Sequence, residues 1–347
     1  MRKIIVFLAL GSGWLADGRA AEMTKPIEVK VVIVTTFEVG ADTGDKPGEF
    51  QFWVEREKLG QSIKVPGMVH PVLTNGQGVL GVVSGTTVRS SNQIMALGLD
   101  PRFDFTKAYW LINGIAGVDP ADASLGSAAW SQFVIDGDVA YEIDSREADP
   151  KWPYAIIPIG GKKPNEVPKY EGWEPDAMSY ELNPALVARA FALSKDVVLV
   201  DTPEMQAYRA TYVGFPNAQK PPFVLLGDSF GSCRYWHGVA LTQWANDWSR
   251  LWTKGRGNFV MSDMEDQGIA AALTSLTKMG RVDFQRVLFL RTGSNYCMPA
   301  PQQGVVNSLQ AEYAGYLPSL EAAYRTGSVV VHDILKNWDA EYAAGVK

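Results

Sequence analysis

Glu265 closes the segment Ser262-Asp263-Met264-Glu265 and opens the small-residue run Asp266-Gln267-Gly268-Ile269-Ala270-Ala271-Ala272. A carboxylate at a helix start can accept hydrogen bonds from a polyhydroxylated ring. Ser262 and Glu265 also fit a capping box, in which both side chains satisfy orphan N–H groups of the first helical turn. From spacing alone both roles stand. Asp263 lies two residues away, and paired carboxylates can have their pKa values pushed apart. Asp263 and Glu38 are therefore candidates for orienting a water. His237 is one of three histidines, with His70 and His332. It sits beside Trp236 in a Gly-containing loop, where it can donate a proton or simply pack. Cys233 and Cys297 are the two cysteines, and a disulfide and two free thiols are equally compatible with their placement.

The elements that must hold these residues alternate. Lys30 to Thr36 is a continuous β-branched run, as expected of a strand buried on both faces. Val79 to Ser84 reads as a strand. Val88 to Leu99 follows as a helix with Thr86 or Thr87 at its cap. Tyr109 to Asn113 is a strand with Gly114 to Gly117 as its exit loop, and Ala128 to Ile135 is another strand. Asn183-Pro184 begins a helix through Ser194. Val224 to Leu226 is a short strand. Leu241 to Leu251 is a helix with Trp244 and Trp248 on one face. A strand at Val287 ends in Arg291-Thr292-Gly293-Ser294-Asn295. Helices over Val305 to Tyr324 and Val329 to Ala344 close the chain. This alternation predicts one α/β domain over residues 21–347, with a mixed, mostly parallel central sheet. Residues 141–183 form a Pro-, Gly- and Trp-rich excursion.

Composition narrows the function classes. The 347 residues are 46% hydrophobic and 20% charged, with a formal net charge of −6. Without a basic block, a nucleic-acid partner is not expected. Arg2 and Lys3, the apolar core Ile4 to Leu10, and the small residues Gly18 and Ala20 read as a signal peptide over residues 1–20. The apolar core is too short to span a bilayer, which needs about 20 residues. The expectation is an exported, periplasmic protein without a membrane span.

In an open α/β sheet, ligands bind beyond the carboxyl ends of the strands. Four such segments carry unusual residues: Thr35 to Glu38, Asn113 to Gly117, Gly227 to Phe230, and Arg291 to Asn295. With Asp136-Gly137-Asp138-Val139, Met264-Glu265 and Tyr235-Trp236-His237-Gly238, their order resembles the nucleoside phosphorylase and nucleosidase superfamily. Within it, the chain is most similar to the group called purine nucleoside permeases, from Val29 to about Leu320. The resemblance implies a phosphorylase-like three-layer fold and a purine nucleoside as ligand. It implies that Glu265 grips the ribose beside Met264, that Phe230 stacks on the base, and that Asn295 and Ser294 read the base edge. Gly114, Ala116 and Thr87 join the ligand contacts. A homo-oligomer is implied, and neither cofactor nor metal.

Departures from that pattern bear on the chemistry. Asn295 stands where the superfamily has an acid, and an amide cannot act as a general acid at neutral pH. Ile112 replaces an Arg and Ile115 a Ser of the phosphate site. Arg89 is the one nearby cation. These departures favour hydrolysis of the N-glycosidic bond over phosphorolysis. Glu38 or Asp263 would orient the water, and His237 or Asp228 would assist the leaving base. The alternative is a non-catalytic component that captures nucleosides and passes them to a membrane transport partner.

Overall fold

The computed structural model describes residues 25–347 except 171, 173, 312 and 313; the expected signal peptide lies outside the described residues. Among the described residues, twelve strands join in one mixed sheet. Val31–Thr35 is buried throughout, as its β-branched composition predicts, and pairs in parallel with Val79–Val83 and Tyr109–Val118. Asp228–Gly231 is parallel to both Phe259–Asp263 and Phe133–Asp136.

Tyr109–Val118 is the strand that makes room for a site. One edge is taken along its length by the parallel strand Val287–Tyr296. The other edge is divided. Tyr109 to Ile112 pair with Val31 to Val34, whereas Gly117 and Val118 pair antiparallel with Ser262 and Met261. Between them, Asn113 to Ala116 have no strand partner on that edge among the described residues. Backbone N–H groups left open this way must find other acceptors. A crevice at such a change of strand partner is where α/β sheets bind ligands.

Several boundaries differ from the sequence reading. The Gly114–Gly117 element lies within its strand rather than in an exit loop, and Arg291–Asn295 likewise continues its strand to Tyr296. Pairing between these two strands keeps both extended past their glycines. Ala128 to Ile135 divides into Ala128–Trp130 and Phe133–Asp136, which pair with different partners. The closing helices are divided elsewhere. Val305–Leu309 is a short helix, and Tyr316–Lys336 runs unbroken through Gly327, burying Leu320, Ala323, Val330, Val331 and Ile334. Burial along one face outweighs the helix cost of one glycine, about 1 kcal/mol. The 141–183 excursion contains Ile156–Pro158, antiparallel to Ala140–Glu142, and the sheet-edge strand Ser179–Glu181. Both cysteines are free.

Candidate active site

Glu49 fills the gap in the sheet edge. Its Oε1 accepts the Ile115 N–H at 2.7 Å, and its Oε2 accepts both the N–H and the hydroxyl of Thr36 at 2.7 Å. Burial pushes its carboxyl above the ordinary value, opposed by the Arg291 charge and these hydrogen bonds. Arg291 reaches the same place from the neighbouring strand, opposite Gly114. A Cβ on Gly114 would collide with both Glu49 and Arg291, so only glycine leaves room for both here.

Arg291 is wholly buried and faces acids. Its Nε donates to Asp266 Oδ2 at 2.9 Å, and a terminal nitrogen donates to Asp266 Oδ1, completing a bidentate pair. The same nitrogen lies 2.9 Å from Glu265 Oε1 and 3.7 Å from Asp263 Oδ1. Burial, set against the Arg291 charge and reinforced by neighbouring carboxylates, pushes Glu265 up to about 8 and Asp266 up to about 7. Four acids thus surround one guanidinium, and the cluster retains protons at neutral pH.

Three of these acids, Glu49, Asp263 and Glu265, border a pocket of about 170 Å³ whose lining also includes Thr36, Thr86, Met264 and Asn295. The described lining residues include no Lys, Arg or His. Glu265 and Glu49 both reach it, so two carboxyls of raised pKa face one space. Asn295 borders it on another side. Its Nδ2 donates to the Tyr235 hydroxyl at 2.9 Å, and its Oδ1 accepts from Ser294 at 2.9 Å. Gly117 lies between Ser262 and Asn295, where a Cβ would crowd the Ser262 hydroxyl. A smaller recess adjoins the pocket through Tyr235, Ser294 and Asn295, and His237 lines it. His237 Nε2 pairs with the Ser308 hydroxyl at 2.9 Å, and burial lowers the ring's pKa. Burial thus favours the neutral imidazole.

Sequence-predicted residues fall into two groups. Glu265, Met264, Asn295, Ser294 and Ala116 line the pocket, and Gly114 lies directly behind it. His237 belongs to the adjoining recess. The others are engaged elsewhere. Glu38 accepts the N–H groups of Gly48, Phe50 and Gln51, the last two at 2.8 and 2.6 Å, and so fastens the start of the helix Gln51–Glu57. Asp263 caps the helix Asp266–Lys278, accepting from Glu265 N at 3.0 Å and Asp266 N at 2.7 Å. It borders the pocket, but its oxygens are occupied by these bonds and by the Ser229 hydroxyl. The cap is therefore Asp263, not a Ser262–Glu265 box, and the Glu265 carboxylate is left for the pocket. Asp228 begins a strand rather than ending one, and accepts from Gln132, Phe133 and Asn258 backbone groups. Phe230 is fully buried against Trp236, Trp244 and Phe259, with ring centroids at 5.9, 4.8 and 5.8 Å. Thr87 has a left-handed φ of 61° and does not line the pocket, which Thr86 does. Arg89 is exposed at the start of its helix.

Sequence reasoning missed Glu49, Arg291 as the central cation, and Asp266. Residues 39–48, with three glycines, two aspartates and a proline, form a loop between the strand Val31–Thr35 and the helix Gln51–Glu57. That composition was the available signal. The loop carries the chain from Glu38 to Glu49, which stands immediately ahead of the helix.

The family model described as purine nucleoside permease (NUP) matches residues 28–347. A Candida albicans purine nucleoside permease is 27% identical over 339 residues, covering 94% of this chain and 80% of the relative. A Schizosaccharomyces pombe protein described as a probable purine nucleoside permease is 31% identical over 257 residues, covering 72% and 73%. Among solved structures, a Streptococcus pneumoniae MTA/SAH nucleosidase in complex with 8-aminoadenine superposes with a TM-score of 0.52 at 13% identity, covering 87% of this chain and 99% of the other. Helicobacter pylori futalosine hydrolase gives 0.54 at 12% identity, covering 88% and 98%. The structural likeness establishes the phosphorylase-like fold, and the family match shows that this chain belongs to the purine nucleoside permease family.

Proposed function

We propose that the protein binds purine nucleosides and hydrolyses their N-glycosidic bond. The observation that carries this reading is the convergence of Glu49 and Glu265 on one pocket whose described lining lacks a cation. Glu265 takes the ribose hydroxyls. Held at a raised pKa, it can donate to one hydroxyl while accepting from another. Glu49 spends three acceptor positions on Thr36 and Ile115, and its remaining lone pair orients a water toward the anomeric carbon. A carboxylate whose pKa lies closer to neutrality is a better general base than an ordinary one. As the bond to the base lengthens, positive charge grows on the sugar, and the surrounding acids stabilise it. Asn295 holds the base edge. The departing base takes a proton from water, because neither the Asn295 amide nor a neutral His237 ring is acidic enough to supply one. Phosphate would meet carboxylates rather than cations, which favours water as the nucleophile.

Capture without cleavage is the second reading, favoured by Asn295, whose amide cannot protonate a leaving base. Among the described residues no helix is long and apolar enough to cross a membrane, so transport would use a membrane partner. Export through the residue 1–20 leader and assembly into a homo-oligomer belong to both readings.

The test incubates purified protein with inosine, adenosine and guanosine, with and without inorganic phosphate. Free base and free ribose are expected in both buffers at equal rates. Tight binding with no base released in either buffer would overturn hydrolysis and leave capture.

A further inference from the structure

Asp266 is the acid that neither the ribose nor the water reading uses. It is fully buried and does not line the pocket. Its side chain does two things: it accepts the Ser229 hydroxyl at 2.8 Å, and it takes two donor nitrogens of Arg291. The remaining terminal nitrogen of Arg291 donates to the Ile115 carbonyl at 3.3 Å, on the side occupied by Glu49. Each of the three guanidinium nitrogens therefore has an acid or a carbonyl as a partner.

That arrangement decides what may enter. Arg291 is the cation placed directly behind Glu49 and Glu265. With Asp266 absent, its planar fork would be free to receive two oxygens of a tetrahedral anion, the geometry for which arginine is suited. With Asp266 present, an entering anion meets acid groups first and finds the Arg291 fork already occupied.

We propose that Asp266 is a specificity-determining residue that sequesters Arg291 and so makes the pocket reject inorganic anions beside the ribose face. This rests on the nucleoside reading of the pocket and deepens it: the ligand is an uncharged nucleoside, and water is the one small nucleophile admitted. Asp266 acts through Arg291 without touching the ligand, so it is a positioning residue. A merely structural Asp266 would weaken nucleoside and anion binding together or leave both unchanged.

The experiment measures binding of inorganic phosphate and of inosine separately, by calorimetry, to the wild-type protein, Asp266→Asn and Asp266→Ser. Circular dichroism verifies the fold of each. Phosphate affinity is expected to rise at least about tenfold in the variants, the scale of one gained charge-assisted contact, while inosine affinity changes far less. Phosphate should also begin to compete with inosine. Equal phosphate affinity in the wild type and a folded variant overturns the proposal. Wild-type protein that binds phosphate as tightly as inosine overturns it with no variant needed. Base release is read in parallel: its absence in wild type counts against hydrolysis alone, because the phosphate-to-inosine comparison does not depend on turnover.

Discussion

The Asp228–Gly231 strand separates two buried regions of opposite character. Ser229 turns its hydroxyl to Asp263 and Asp266, at the edge of the acid cluster around Arg291. Phe230, the next residue, points the other way into Trp236, Trp244 and Phe259. Adjacent strand residues alternate faces, so a one-residue step crosses from one environment to the other. The aromatic side gains stability from every contact it makes. The acid side costs desolvation, repaid only while Arg291 and its partners stay together. Replacing such a cluster with apolar residues is often neutral or stabilising. Its presence beside a pocket therefore points to chemistry, whereas the aromatic block needs no explanation beyond packing.

That contrast can be broken by one substitution on the aromatic side. Phe230→Ala is expected to lower stability by about 3–5 kcal/mol through loss of buried contacts, with the nucleoside affinity of the folded protein unchanged. Denaturant unfolding and calorimetry check it. Lost affinity with intact stability would mean that Phe230 stacks on the base after all. On the acid side the expected effect depends on pH. Glu265 and Asp266 are held at about 8 and about 7, against ordinary values of 4.5 and 3.8. The folded state therefore binds more protons across that interval. Stability is fullest below the unfolded values and is lost as pH rises toward the folded ones, by up to about 1.4 kcal/mol per pH unit for each carboxyl. Asp136 and Asp228, both raised to about 6 by burial, act in the same direction. The melting temperature should fall between pH 5 and pH 8; a rise over that range would contradict the proton-holding cluster.

The sequence made some parts of the molecule legible and hid others. The β-branched run at Val31–Thr35 and the Asn183-Pro184 helix start carry their signals locally. In the latter, Asn183 accepts the N–H groups of Ala185 and Leu186 as expected of a cap. Met264-Glu265 and Asn295 could be singled out because short ordered motifs surround them. Glu49 could not, because a Gly-rich loop separates it from the strand end that announces the site. Glu38, which stands nearer that strand end, serves the backbone instead. Asp266 looked like one more first-turn acid, a common helix feature. Its pairing with Arg291 joins residues far apart in the chain, and no local pattern encodes it.

Glu49 and Glu38 give the most direct test of the account's central claim. The measurement is single-turnover release of base from inosine by the wild-type protein, Glu49→Gln and Glu38→Gln, with inosine affinity measured beside it. Glu49→Gln should keep most of its affinity and lose base release by about 10²–10⁴-fold, the usual contribution of a general base. Glu38→Gln should lose about 1 kcal/mol of stability, as a weakened helix cap does, and release base at the wild-type rate once folded. Undiminished release in Glu49→Gln, or a comparable loss confined to Glu38→Gln, would contradict the assignment of the water-orienting carboxylate.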